Sequence, residues 1–178
     1  MAGIESNRLR SAFVVETVPG TTNATPAFRT LHVPAIFDDS VTRFHQTSLV
    51  ASGAFLGDAL LDRTAKGSIP DAPMVYSVYD QHFESLLRSQ WATDAMTNGV
   101  LRAQTMTHEN SIPAGQGGTM TYLRYKGVET TGAQLKMVKE KEIVIGFDLM
   151  GMQSSDSTTT AITGATYSDR RRLSKCWS

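Results

Sequence analysis

Four histidines are the residues in this chain of 178 amino acids that could most readily bind a metal ion or transfer a proton. They are His32, His45, His82 and His108, and they are widely spaced along the sequence. Zinc sites usually combine histidines or cysteines that lie a few residues apart. Cys176 is the only cysteine. The sequence therefore predicts ordinary surface or half-buried histidines, no metal site and no internal disulfide.

A cluster of three glycines, Gly115, Gly117 and Gly118, could form a phosphate-binding loop. Such a loop needs a following helix and a Lys-Ser/Thr pair, and the sequence has neither at this point. The carboxylates are scattered, and no Gly-x-Ser-x-Gly nucleophile elbow occurs. We therefore expect a flexible connection at these glycines, and no catalytic residue, no cofactor and no enzymatic activity.

Positive charge is concentrated near the C-terminus. The formal net charge is zero, with 17 basic and 17 acidic residues, and four of the basic residues are Arg170, Arg171, Arg172 and Lys175. A terminal basic run is usually a solvated tail. Without aromatic residues interleaved on a sheet, it does not indicate nucleic-acid binding. The segment 153–178 is therefore predicted to be polar, basic and outside the core.

Length and composition favour one globular domain over residues 1–178. Hydrophobic residues make up 40% and charged residues 19% of the chain, which is typical of globular proteins. No apolar run approaches the ~20 residues needed to cross a bilayer. The N-terminal residues show no basic region followed by an apolar stretch, so we expect the product to stay in the cytoplasm of the cell that makes it.

The clearest structural pattern lies between Thr119 and Met152, where three strands are predicted. Alternation along residues 142–150 separates an apolar face from a polar one. The apolar face contains Ile143, Ile145, Phe147 and Leu149, and the polar face contains Glu142, Gly146 and Asp148. A preceding strand at 134–139 and a charged turn at 139–141 complete a hairpin. The third strand, 121–126, is interrupted by Gly127.

Five further segments have the β-branched and aromatic residues that favour strands. Their ranges are 10–16, 28–33, 40–47, 74–79 and 100–109. Together with the hairpin, they predict a mainly antiparallel β domain of the sandwich or partial-barrel type.

One amphipathic helix is predicted after residue 79. Asp80 could cap its first turn, and an apolar face follows at helical spacing. This predicted core face contains Phe83, Leu86, Leu87 and Trp91. A single helix of this kind usually covers an open face of a sheet.

Residues 51–73 have no sustained periodicity and contain several glycine and proline breaks, so they are predicted to be a long loop. Long loops in compact domains are usually functional or mobile. Four apolar side chains lack a period that would place them on their own domain, namely Phe55, Leu56, Leu60 and Leu61. We expect this loop to contact a neighbouring subunit.

Three stretches in consistent order resemble the tail tube proteins, the major tail proteins of long, non-contractile-tailed bacteriophages. The first is Val-Val-Glu-Thr-Val-Pro-Gly-Thr-Thr at 14–22, with the Ala-Thr-Pro-Ala-Phe that ends at Phe28. The second is the strand followed by Phe-x-x-Leu-Leu and a tryptophan. The third is a strand followed by Lys126-Gly127-Val128-Glu129, a strand of the form x-Leu-x-Met, a charged turn and the strand Ile-Val-Ile-Gly-Phe-x-Leu-x-Gly. The resemblance covers residues 8–152.

The resemblance implies a structural virion protein in the phage tail, assembled in the host cytoplasm. Its subunits would form stacked hexameric rings around a channel through which DNA passes without specific binding. A tape measure protein, a tail terminator and tail-tip proteins are the implied partners. On this interpretation, the polar face of the hairpin lines the channel, with Glu142 and Asp148 as candidates.

Physics also favours partners, because long strands without disulfides leave unpaired edges that identical neighbours can close. The alternative is a monomeric β-sandwich module that binds a ligand or carbohydrate. Its binding platform would be Trp91, Tyr122 and Tyr125. Sedimentation separates the two hypotheses, because a binding module stays small.

Overall fold

The computed structural model describes residues 9–45, 58–75, 78–92, 95–96, 104–113, 118–154 and 157–168. Its described elements are strands, with one helix between the fourth and fifth strands. They are β1 Arg10–Val15, β2 Ala27–Thr30, β3 Ile36–His45, β4 Asp58–Pro73, α1 Asp80–Leu87, β5 Trp91–Ala92, β6 Ala95–Met96, β7 Met106–Ile112, β8 Thr121–Lys136, β9 Val144–Gly151, β10 Gln153–Ser154 and β11 Thr166–Ser168.

Strand β8 connects two groups of strands into one sheet. Its first half, residues 121–128, pairs with β7, beyond which lie β1, β2 and β11. Its second half, residues 129–136, pairs with β9, beyond which lie β4 and β3. We call these groups the first half-sheet and the second half-sheet. All neighbouring strands are antiparallel except β2 and β11. The prediction of a mainly antiparallel β domain with one flanking helix is confirmed for the described residues.

A bulge at Gly127 marks the point where β8 passes from one half-sheet to the other. Met106 lies opposite Val128 while His108 lies opposite Tyr125, so β8 has one residue more than β7 over this stretch. Gly127 has a φ of 62°, a conformation that glycine adopts without steric cost. Its N–H donates to the buried Glu16 carboxylate at 3.0 Å. The predicted break at Gly127 is therefore a bulge within one long strand. The segments 121–126 and 134–139 do not form two separate strands, since β8 contains the first segment and residues 134–136 of the second.

The core lies between the two half-sheets, which pack face to face through aromatic rings. Phe13 of β1 and His108 of β7 are stacked at 5.7 Å between centroids. Phe37 of β3 lies 5.5 Å from the His108 ring. From β9, Ile145, Phe147 and Leu149 are buried, as the alternation predicts. Ile143 precedes the strand and is exposed, which corrects its predicted place in the core.

The helix forms over Asp80–Leu87, close to its prediction, but its buried face differs. The buried residues are His82 and Ser85, and Phe83 packs half-buried against the core. Leu86 and Leu87 are also half-buried. Ser85 faces the sheet because its hydroxyl accepts the N–H of Thr130 at 3.0 Å.

Two predicted details of this helix are wrong. The N-cap is Tyr79, with no side-chain cap, and Asp80 is the first helical residue. Trp91 belongs to β5, beyond the end of the helix, and is 43% exposed, so it adds nothing to the core face. The helix ends at Leu87, and its C-cap residue Arg88 has a φ of 50° that turns the chain out of the helical path.

The predicted loop at 51–73 is wrong for Asp58–Pro73, which form the 16-residue strand β4. The strand lies between β3 and β9 and buries two alanines and one isoleucine, Ala65, Ala72 and Ile69. A bulge between Ile69 and Ala72 accommodates Pro70. Residues 51–57 lie outside the described part of the chain. The strand predicted at 74–79 is also wrong, because residues 74–75 are irregular and 78–79 form a turn that leads into the helix.

The segment after Met152 returns to the sheet instead of leaving it. Strand β11 pairs in parallel with β2, and the Tyr167 ring stacks on Phe28 at 5.2 Å. The Tyr167 hydroxyl donates to the buried Glu109 carboxylate at 2.6 Å, which also accepts from Arg124 at 2.8 Å. Burial, followed by the hydrogen bond and charge of Glu109, raises the pKa of Tyr167. Residues 157–168 are thus attached to the first half-sheet, and 169–178 lie outside the described residues.

No helix within the described residues is both long and apolar enough to cross a bilayer.

Candidate assembly surface

The second half-sheet has two edges that no strand of the described chain occupies. One is the outer edge of β3, which pairs only with β4 among these residues. The other is the edge of β8 at residues 131–136 that faces away from β9, since β7 reaches only as far as Val128. Exposed strand edges present unpaired N–H and C=O groups and readily pair with another chain. Within the described part of the chain, the second half-sheet is therefore open on both sides.

The two open edges run in opposite directions. From β8 through β9 and β4 to β3, every neighbouring pair is antiparallel, so β8 and β3 are antiparallel to each other. If β3 of one copy lay beside β8 of a second copy, the antiparallel alternation would continue without interruption. This polarity allows head-to-tail addition of identical subunits, and such addition closes into a ring when the rotation between copies permits it.

Helix α1 covers the start of the β8 edge. Besides the hydrogen bond from Thr130 to Ser85, the Arg88 guanidinium lies 3.7 Å from the Glu129 carboxylate. The helix thereby leaves residues 131–136 as the uncovered part of this edge.

Of the two residues predicted to face a channel, Asp148 lies on the polar face of the second half-sheet. Asp148 is exposed on β9, on the face opposite Phe147, and Glu142 is exposed just before that strand. On the same sheet, the Lys136 ammonium binds the Asp71 carboxylate at 2.6 and 2.8 Å. Where this face points in an assembly is untested, so the channel-facing role stays a prediction.

The hairpin between β8 and β9 carries a cluster of exposed apolar side chains that the sequence analysis missed. The predicted charged turn at 139–141 is present, with Glu140 at a φ of 63°. Around it lie five large apolar residues that are 43–69% exposed. We call them the hairpin overhang: Met74, Leu135, Met137, Val138 and Ile143.

The hairpin overhang is an extension of the core row of the sheet. Leu135 and Ala72 both lie directly opposite Ile145, so the three share one face. Ala72 and Ile145 are buried, whereas Leu135 is 47% exposed. The Met74 N–H donates to the Ile143 carbonyl at 3.0 Å, which continues the pairing past β4. A signal was present in the sequence, since Ile143 keeps the alternation of the core residues beyond the strand.

Two of the four histidines meet in the core between α1 and β7. His82 and His108 have ring centroids 5.5 Å apart, are fully buried, and have no hydrogen-bond partner for any ring nitrogen among the described residues. Burial lowers the pKa of His108 to about 3. Burial and then the charge of His108 lower the pKa of His82 well below its ordinary value. Across the described part of the chain, no group of three or more His, Cys, Asp or Glu residues could hold a metal ion.

The binding platform of the alternative hypothesis is not assembled. The Tyr125 ring is buried under Phe37, with centroids 4.0 Å apart, so it presents no open face. Tyr122 lies beside the Arg124 guanidinium, and Trp91 is in the separate pair of strands β5 and β6. A pocket of about 140 Å³ lies on the second half-sheet beside Asp71 and Asp148, smaller than the ~300 Å³ at which typical ligand sites begin.

The four residues predicted to contact a neighbour through a loop are only partly described. Phe55 and Leu56 lie outside the described residues, and Leu60 and Leu61 have backbones in strand β4. Because β4 is an inner strand between β3 and β9, the loop explanation for these leucines does not hold. Their contact with a neighbour stays a prediction.

No protein-family model and no curated protein matches the chain. Solved structures with a similar chain path include the tube-terminating cap of the anti-feeding prophage, at 13% identity, a TM-score of 0.48 and coverage of 90% of this chain and 93% of that one. A chain in the tail of an empty GTA particle, refined with C6 symmetry, is 13% identical with a TM-score of 0.46, and the match covers 89% of this chain and 100% of that one. A type six secretion system protein is 7% identical with a TM-score of 0.40, and the match covers 84% of this chain and 91% of that one. At these values the likeness alone assigns neither family nor function.

Proposed function

We propose that this chain is a structural subunit of a phage tail tube, which assembles through its second half-sheet into hexameric rings stacked around a channel for DNA. The observation that carries the proposal is the pair of open, oppositely directed edges on β3 and on residues 131–136 of β8. The sequence resemblance at 14–28, 83–91 and 126–151 supports the same role.

Closure of the two edges would make one continuous antiparallel barrel from the second half-sheets of six copies. A closed barrel is the arrangement that removes sheet edges completely. The core face of each second half-sheet packs on its own first half-sheet, so the opposite face, with Asp148, would line the bore. A lumen with carboxylates repels phosphate, which suits DNA that must slide through without being held.

Two single-edge variants test the ring. Ile36→Lys places a charge at the start of the β3 edge, and Ala133→Lys places one on the β8 edge, both at positions exposed in the subunit. Edge lysines oppose strand pairing. Each variant alone is expected to sediment as a monomer, because every contact between identical copies then includes one blocked edge. An equimolar mixture is expected to form a dimer of the two variants and nothing larger, since one good edge of each kind remains.

The matched control is Met150→Lys, at an exposed position on β9, which is paired on both sides. Glu129 and Lys66 lie opposite Met150, so a new charge of either sign has an opposite partner. This control is expected to form rings like the wild type. If both edge variants still form rings as the wild type does, assembly through these edges is ruled out.

A further inference from the structure

We infer that the hairpin overhang is the contact between successive rings, and that a copy of this chain in the adjacent ring covers it. The inference rests on the proposed function, because it takes the second half-sheet to be a wall of the barrel. Four of its five residues, all except Leu135, lie outside the strand edges that pair within a ring.

The hairpin overhang lies at one end of the second half-sheet. Met74, Met137, Val138 and Ile143 lie beyond the last pairs of the ladder, Lys136 with Val144 and Pro73 with Val144, and Leu135 lies one position inside them. In a closed barrel the strands cross the wall at a tilt, typically 35–45° from the axis, so strand ends form the rims. The overhang therefore projects from one rim of the ring, where it faces the adjacent ring along the axis.

The exposed apolar area is too concentrated for a surface that stays in water. Ten large apolar residues of the described chain are more than two-fifths exposed, and half of them are in the overhang. Met137 is the most exposed of all at 69%. Apolar residues scattered singly need no explanation, whereas a cluster of this kind marks an interaction site.

The charge of the turn favours another copy of the chain as the occupant. Lys139 and Lys141 alternate with Glu140 and Glu142, so the tip carries two charges of each sign. A balanced tip offers no net attraction to nucleic acid or to an anionic membrane, both of which select for clustered basic residues. It is compatible with a chain whose own net charge is zero. The overhang also continues directly from residues 131–136, so a ring that used this edge would align the overhangs of all its copies along one rim.

The test is a double variant, Met137→Glu with Ile143→Glu, compared with Met150→Glu as the matched control. All three methionine and isoleucine positions are exposed, so we expect melting temperatures close to that of the wild type. Sedimentation and negative-stain micrographs then report assembly. The double variant is expected to give single hexameric rings with at least a tenfold loss of tubes, because the acidic residues would be buried against the next ring. The control is expected to give normal tubes.

The outcomes separate the two proposals. Tubes of normal yield and length from the double variant would overturn the inter-ring contact and leave the proposed function intact. Monomers from the double variant would also overturn it, by making the overhang a contact within the ring. A wild type that stays monomeric at every concentration would refute the proposed function itself, and the inter-ring contact with it.

Discussion

Each half of β8 carries one glutamate–arginine pair, and the two pairs differ in burial. In the first half, Arg124 donates at 2.8 Å to Glu109, whose side chain is fully buried. In the second half, Arg88 lies 3.7 Å from Glu129, and the side chains are 55% and 34% exposed. The first half pairs with β7 along its length and with β10 at Tyr125 and Lys126, whereas the second half has a strand on one side only among the described residues. One strand thus holds the fold together at one end and remains available to a neighbour at the other.

The largest effect on stability is expected at the buried pair. Glu109→Ala removes the carboxylate that accepts from Arg124 and Tyr167, and breaking a buried charged pair typically costs about 3–5 kcal/mol. The matched change at the exposed pair, Glu129→Ala, is expected to cost less than about 1 kcal/mol. Urea denaturation of the unassembled subunit measures both. Equal losses would show that the two halves of β8 do not differ in this way.

Acid is expected to destabilise the subunit through the histidines between α1 and the first half-sheet. The pKa of both is lowered in the folded state, to about 3 for His108, so below pH 6.5 only the unfolded chain binds these protons. Their contribution is complete above about pH 6.5 and is lost as the pH falls towards the folded pKa. The loss is about 1.4 kcal/mol per pH unit for each histidine.

Melting curves between pH 7.5 and 5 check this prediction. In His108→Leu the decline with acid should be about half as steep, because one titrating ring is gone. An unchanged slope would mean that other groups set the acid sensitivity.

A substitution at the bulge between the two halves of β8 is expected to have an intermediate effect on the free energy of unfolding. Gly127→Ala forces a residue with a side chain into left-handed geometry, at about 1–2 kcal/mol. It also brings the new Cβ within 2.8 Å of the Met152 side chain. Gly20→Ala is the control, because Gly20 has a φ of 76° but no atom within 4 Å of an added Cβ. We expect the Gly127 variant to unfold at lower urea than the Gly20 variant. The reverse order would show that the contact with Met152 relaxes without cost.

The smallest effect is expected at the ion pair on the open half. Lys136 and Asp71 are about half exposed, so Lys136→Ala should change the free energy of unfolding by less than about 1 kcal/mol. High salt should remove most of that difference, because it screens exposed charges. A loss above 2 kcal/mol that persists in 1 M salt would place this pair among the structural contacts.

The sequence predicted the parts of the fold whose hydrophobic period is regular. The alternation at 145, 147 and 149 and the charged turn after β8 are examples, since one buried face gives a clear signal. Strand β4 was missed because it buries alanines and an isoleucine around Gly67 and Pro70, a composition typical of loops.

Other features of the fold depend on contacts between distant residues. His82 was not expected to be buried, because its apolar neighbours come from β1 and β9 and are visible only after folding. The same holds for Glu109, whose partners come from β8 and β11. The open edges of the candidate site could not be placed without the strand order, which no local pattern encodes.

The parallel pairing of β11 with β2 also sets the order of folding. The Ser168 hydroxyl donates to the Phe28 carbonyl across 140 positions of sequence, so this edge of the first half-sheet forms only when nearly the whole described chain has been synthesised. Contacts of such long range make folding slow, and a growing chain exposes the strands that lack their partners. On the ribosome, β1 and β2 are therefore synthesised before their partners β7 and β11, whereas β8 and β9 emerge together as a local hairpin.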